Sequence, residues 1–370
     1  MNKNPTISGQ MEKEGGFTAG FDYLRIGLAL AVLVWHGGIL STGSAELYRA
    51  AWGGPFRFIL AIILPMFFAL SGFLVAGSLE RTRVHQFVVL RALRLVPALA
   101  VEVALSALVL GPFFTTLPLW RYLTSPELVG YFGNIVGIVH FTLPGVFEHN
   151  PAPGVVNSQL WTIPFELECY VVLLAVSAVL RDRRGFVALV VLLSLVATAL
   201  SFFLDPVSRF EPVPGRALVV SFLAGVCLHL YRDKIPCSPT FGLLAALAAA
   251  VLLQVPNTCY LAAFPVAYLT VWLGLMRPPK IPFGDLSYGV YLFHFPIEQS
   301  LVQIFPGVGS WWRLALLALP STVLCAWLSW NLVEHPILIR KKHILAAVDR
   351  AYGALARQAR PALAPGETAR

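Results

Sequence analysis

The sequence predicts an all-α membrane protein, a polytopic bundle of about ten transmembrane helices with both termini cytoplasmic, and three observations carry that reading. Hydrophobic residues make up 57% of the 370 and charged residues only 12%, against roughly a quarter charged in a soluble domain. The apolar residues gather in blocks of about 17 to 25, the length that crosses a hydrocarbon core of about 30 Å at about 1.5 Å per residue. With the N-terminus inside, all but six of the 27 Lys and Arg fall on the cytoplasmic side of these blocks, a strong positive-inside bias.

The first span, 24–40, follows a polar tail over 1–20 that shows no cleavable signal pattern. The second, 56–79, and the third, 95–113, flank a basic segment that holds Arg81, Arg83, Arg91 and Arg94. The fourth, 163–180, starts at Pro164, a residue suited to a first helical turn. The fifth, 186–204, follows "RDRR", and the sixth and seventh, 217–231 and 240–255, are short and parted only by "YRDKIPCSPT". The eighth, 260–276, ends at Arg277; the ninth, 286–305, and the tenth, 313–332, precede a basic tail. Residues 21–340 therefore read as one transmembrane domain, with 1–20 and 341–370 as cytoplasmic tails.

A net charge of +8 does not point to nucleic acid, because the basic residues sit in short loops beside spans, where topology and membrane lipid explain them. Cys169, Cys227, Cys237, Cys259 and Cys325 form no CxxC and no metal spacing, so neither a metal centre nor a disulfide framework is expected. One extracytoplasmic loop, at about 114–160, is unusually long and rich in Pro and aromatic residues. A loop of that length without clear elements of its own is usually functional or disordered. Its aromatics suit a lid or a sugar-binding surface, and equally an interfacial aromatic belt.

Ionisable residues inside spans are costly and mark function. His36 lies eleven residues after Arg25, so both line one stripe of the first helix about 16 Å apart along its axis. Ser71 and Gly72 are small residues that allow close helix approach. Arg91 and Arg94, three apart on one face, could clamp an anionic group or contact lipid phosphates. Glu102 lies eleven residues beyond Arg91 and is a candidate internal counter-ion. Glu166 falls in the first turn of the fourth span, where the helix dipole favours a carboxylate, and Tyr170 shares its face. Ser287, Tyr291 and His294 form an i, i+4, i+7 stripe, and His294 and Glu298 are spaced to touch.

These segments resemble the acyltransferase-3 family of bacterial membrane acyltransferases. The family's Asp-x-x-Arg with a His eleven residues on matches Asp22, Arg25 and His36. Phe-Phe-x-x-Ser-Gly-Phe matches Phe67 to Phe73, and Arg-x-x-Arg with Leu-x-Pro matches Arg91, Arg94 and Pro97. Trp-Ser/Thr-x-x-x-Glu-x-x-x-Tyr matches Trp161, Glu166 and Tyr170, so Glu166 and not Glu168 is the family glutamate. Ser-Tyr-x-x-Tyr-Leu-x-His-x-Pro matches Ser287 to Pro296, and Trp-x-x-x-Glu-x-Pro matches Trp330, Glu334 and Pro336. Tyr23 replaces the usual glycine of the first motif, and Thr162-Ile163 the usual Ser-Leu after the tryptophan. No hydrolase-like domain of the kind fused to longer relatives is expected after residue 340.

The resemblance implies O-acyl, commonly O-acetyl, transfer from cytoplasmic acyl-CoA to a hydroxyl of an extracytoplasmic or lipid-linked glycan, in a bacterial inner membrane. Acyl-CoA, commonly acetyl-CoA in the family, is then the implied donor substrate, and no permanently bound cofactor is expected. Arg25, Arg91 and Arg94 would hold the donor. His36 would act as general base or carry the acyl group transiently. Glu166 would orient or balance it, and His294 with Tyr291 would line the cavity or stabilise the oxyanion. Asp22, Ser71, Trp161, Tyr170, Ser287, Tyr291 and Glu298 complete the expected cavity. The rival class is a secondary transporter or flippase in which His36, Glu102, Glu166 and His294 relay protons.

Overall fold

The computed structural model describes residues 5–13, 15–16, 18–180 and 182–358. The major helices are α1 (Ala19–Thr42), α2 (Ile63–Leu79), α3 (Val84–Leu105), α4 (Ile163–Val179), α5 (Arg183–Phe203), α6 (Gly215–Leu230), α7 (Pro239–Gln254), α8 (Ala263–Gly274), α9 (Ser287–Ile304), α10 (Trp311–Ser329) and α11 (Lys341–Gln358). Each of the ten predicted spans falls on one of α1 to α10. Among the described residues, six helical stretches are long and apolar enough to cross a membrane: Ala19–Thr42, Arg57–Leu79, Val84–Phe114, Ser158–Val179, Arg183–Phe203 and Trp311–Ile339. α6, α7 and α8 are shorter apolar helices. The chain is an all-α polytopic membrane protein.

The expected start of the third span moves most. α3 begins at Val84, so Arg91 and Arg94 lie about two to three turns inside a helix. Farther along, α3 passes through a π-turn over Ser106–Leu110, a local widening that often accompanies function.

α6 and α9 form the interior. Every residue from Ala217 to His229 is buried, and α6 packs on α2 at a distance that only glycine permits. A Cβ on Gly72 would collide with the carbonyl oxygen of Phe222, and one on Gly225 with that of Ala69. The small residues read from the sequence are thus the seam of this helix pair. α5, α7 and α10 turn Leu192, Leu195, Leu243, Leu247, Leu316 and Leu324 outward, the apolar belt that a hydrocarbon solvent requires.

The predicted cytoplasmic segments converge on one end of the bundle. There Ile7 N–H donates to the Ile235 carbonyl, Thr18 to that of Gly274, and His85 of α3 meets Asp349 of α11 at 2.6 Å. The predicted outer segments meet at the other end, where Asn150 bonds Gln299 at 2.7 Å and Gln254 donates to the Gly54 carbonyl at 2.8 Å.

The long loop has elements of its own, contrary to the sequence reading. Short helices at Leu119–Leu123 and Pro126–Tyr131 and 3-10 turns at Phe132–Val136 and Ser158–Thr162 build it. Tyr122, Tyr131 and Phe147 are buried in its packing, whereas Trp120 is 64% exposed. One set of aromatics is a core and the other a surface. The loop is also anchored to α9 through a proline. Pro296 has no N–H to offer the carbonyl of Leu292, and that carbonyl accepts instead from Gln159 Nε2 at 2.8 Å and Asn157 Nδ2 at 3.3 Å.

Candidate active site

Two cavities lie on either side of Tyr291. The first, of 190 Å³, opens among Arg25 of α1, Arg91 and Arg94 of α3, Glu166 and Tyr170 of α4, Ser71 of α2, and Ser287 and Tyr291 of α9. The second, of 270 Å³, contains His36, Trp35, Tyr48, Trp52, Trp161 and, again, Tyr291.

In the first cavity one carboxylate organises two guanidiniums. Asp285 Oδ2 accepts from Arg25 Nη1 at 2.7 Å and from Arg94 Nη2 at 2.5 Å. Arg94 reaches on to Glu334 at 3.2 Å, and Arg25 to Asp22 at 3.5 Å. Burial raises the pKa of Asp285, but Arg94 and Arg25 outweigh it and hold the carboxyl down at about 2. Asp285 sits just before α9, where its other oxygen accepts from the Ser287 backbone N–H at 3.3 Å and from the Ser287 hydroxyl at 2.5 Å. Sequence reading missed it, although an Asp two residues ahead of a helix's first residue is placed for an Asx turn onto that residue's N–H. Asp22 itself stays at the rim, outside the cavity lining.

Arg91 differs from its neighbours. Among the described residues no carboxylate lies within ion-pair distance of it. It reaches the Ser78 hydroxyl at 3.5 Å, stacks at 5.7 Å on the Phe87 ring, and leaves Nε buried without a partner. A guanidinium in that condition is equipped to hold an incoming anion.

In the second cavity His36 Nδ1 lies 2.8 Å from His294 Nε2, with ring planes 8° apart. His294 Nδ1 faces the Val290 carbonyl at 3.1 Å. A carbonyl only accepts, so His294 carries its hydrogen on Nδ1 and presents a lone pair at Nε2. His36 must then donate from Nδ1, which leaves a basic lone pair on its own Nε2. Trp35 meets Trp52 edge-on at 5.7 Å and Tyr48 at 5.9 Å, forming an aromatic wall. Trp52 Nε1 is a buried donor with no hydrogen-bond partner.

Three expected relationships differ. Glu166 does not share His36's cavity: it faces the arginines, and its carboxyl accepts from Tyr170 at 2.5 Å, the i, i+4 contact the spacing predicts. His294 does not bond Glu298, because both its ring nitrogens are already engaged by His36 and Val290. Glu298 is fully buried beside Gly37, lines neither cavity, and leaves both oxygens without a hydrogen bond. Glu102 does not balance Arg91, since eleven residues of rise, about 16 Å, are too far for contact. It accepts from Ser106 at 2.7 Å and Asn157 at 2.6 Å instead. Among the described residues no His, Cys, Asp and Glu cluster is arranged to hold a metal.

A family model described as an acyltransferase domain, that of the acyltransferase-3 family, matches residues 18–331. Nodulation protein 10 of Rhizobium leguminosarum bv. viciae is 29% identical over 369 residues, covering 90% of this chain and 97% of that protein. An O-acetyl transferase of Shigella phage Sf6 is 29% identical over 352 residues, covering 86% and 96%. No solved structure matches.

Proposed function

Since the chain belongs to the acyltransferase-3 family and is a membrane O-acyltransferase, we propose that it moves an acetyl group from acyl-CoA to a glycan hydroxyl at a bacterial inner membrane. The observation that carries this reading is the pair of cavities meeting at Tyr291, one built for anions and one holding a base. The donor enters from the basic end, its phosphates on Arg91 and the rim of Arg25 and Arg94. The acceptor, a surface or lipid-linked sugar, enters from the opposite end and stacks on Trp35, Tyr48 and Trp52, aromatic faces suited to the apolar faces of a sugar ring. The positive-inside bias favours the basic end as cytoplasmic.

His36 Nε2 takes the proton of the acceptor hydroxyl as its oxygen attacks the thioester carbonyl; the new C–O bond forms, the C–S bond breaks, and His36 returns the proton to the departing sulfur. His294 stands behind His36 and takes up part of the transient positive charge. Glu166, held by Tyr170, is a donor-cavity residue in this scheme and not a partner of His36. Transport by a proton relay is less well supported, because His36–His294, Glu102–Asn157 and Glu166–Tyr170 are separate hydrogen-bonded pairs.

The test is mass spectrometry of surface polysaccharide and lipid-linked glycans from cells with the wild-type protein, with His36→Ala, and without the protein. An acetyl mass increment that depends on the protein and disappears in His36→Ala is the expected result. An unchanged increment in the variant would end the reading of His36 as base.

A further inference from the structure

We infer that Leu64 and Tyr291 form the wall that sets the length of the acyl chain transferred, with Leu64 as the specificity-determining residue. The inference rests on the donor and acceptor reading above. The arginine cavity and the His36 cavity have two lining residues in common, Leu64 and Tyr291. Arg25 and His36, eleven residues apart on α1, lie on opposite sides of that wall. An acyl group delivered from one cavity to a hydroxyl in the other passes there.

The two wall residues are held differently. The Tyr291 hydroxyl shares a hydrogen bond with Thr162 Oγ1 at 2.8 Å and donates to the Gln159 carbonyl at 3.1 Å. Phe67 packs edge-on to the Tyr291 ring at 5.9 Å. Leu64, in the first turn of α2, has no polar tether and is only half-buried. Tyr291 is therefore a fixed face, and the isobutyl group of Leu64 is the part that decides how much room is left.

Bond formation needs the hydroxyl oxygen and the thioester carbon at about 3 to 3.5 Å. With the oxygen beside His36 Nε2 and the CoA moiety among the arginines, the thioester carbon lies at the wall, and the alkyl part of the acyl group is pressed against Leu64. A methyl group fits such a space. Each added methylene has to displace packed carbon, and a hydrophobic pocket discriminates one methylene by about 10- to 200-fold. Leu64→Ala removes the side chain beyond Cβ and opens room for about two methylenes. Leu64→Phe narrows the same space.

The experiment uses purified full-length protein in detergent, a panel of methyl glycosides as acceptor probes, and released CoA thiol as readout, with acetyl-CoA and butyryl-CoA compared in the same preparation. The ratio of kcat/KM for butyryl- over acetyl-CoA is expected to rise about tenfold in Leu64→Ala and to fall in Leu64→Phe. A ratio within about twofold of wild type in either variant that transfers acetyl overturns the inference, given the size of a methylene effect. Loss of acetyl transfer in both variants overturns it as well. If the wild-type protein itself releases no CoA from acetyl-CoA, the donor reading fails, a result distinct from an unchanged ratio.

Discussion

His36 Nδ1 and His294 Nε2 are 2.8 Å apart, and because Val290 fixes the hydrogen of His294 on its far nitrogen, the contact also decides which nitrogen of His36 is basic. His294→Ala removes that control without touching the arginine cavity. We expect kcat to fall about 10²-fold, within the range of general acid–base effects, with KM for acyl-CoA unchanged. His36→Ala should cost more, and the double variant no more than His36→Ala alone, because the pair works as one unit. Steady-state CoA release in the three variants checks this.

Asp285 ties α9 to α1 and α3 through two arginines, so Asp285→Asn should lower the melting temperature and weaken acyl-CoA binding by loosening Arg25 and Arg94. The pH dependence has a definite sign. The carboxyl is depressed from an ordinary 3.8 to about 2, so its contribution to stability is fully present above 3.8 and is lost as pH falls toward 2. The difference in melting temperature between wild type and Asp285→Asn should be constant from neutral pH to about 4 and shrink below it. Scanning fluorimetry across that range reads it.

The α2–α6 seam tolerates no side chain at Gly72. An alanine there drives its methyl into the Phe222 backbone, and overpacking of a well-filled core costs about 1–3 kcal/mol or more. Gly72→Val should be worse than Gly72→Ala. The expected outcome is a lower melting temperature for Gly72→Ala and loss of the monodisperse peak in size-exclusion chromatography for Gly72→Val.

Glu298 is buried with neither oxygen hydrogen-bonded, which leaves its desolvation uncompensated. Glu298→Met keeps the length of the side chain and removes that cost, so it should raise stability by roughly 1–3 kcal/mol. An increase in melting temperature is the readout; a decrease would mean that the carboxyl has a partner in the folded protein.

Much of this molecule is legible in one dimension. A block of apolar residues must become a helix wherever lipid offers no hydrogen-bond partner, so ten blocks specify ten helices. Helical spacing likewise predicts local contacts, as it does for Glu166 with Tyr170. It fails between helices. At i, i+4 Glu298 is free to touch His294, but α1 delivers His36 to the same nitrogen, and no spacing within α9 contains that information.

The sequence by itself thus determined the all-α membrane class, the helices and the family, and it named the candidate site residues, because each depends on local composition, period or motif. Only the tertiary structure decided who meets whom. It joined Arg25 and Arg94 through Asp285, left Arg91 without a carboxylate among the described residues, moved Glu166 to the arginine cavity and paired His36 with His294. Those contacts depend on where separate helices cross, and the crossings are set by close packing across the whole bundle, such as the glycine seam of α2 and α6, over distances that no sequence window spans.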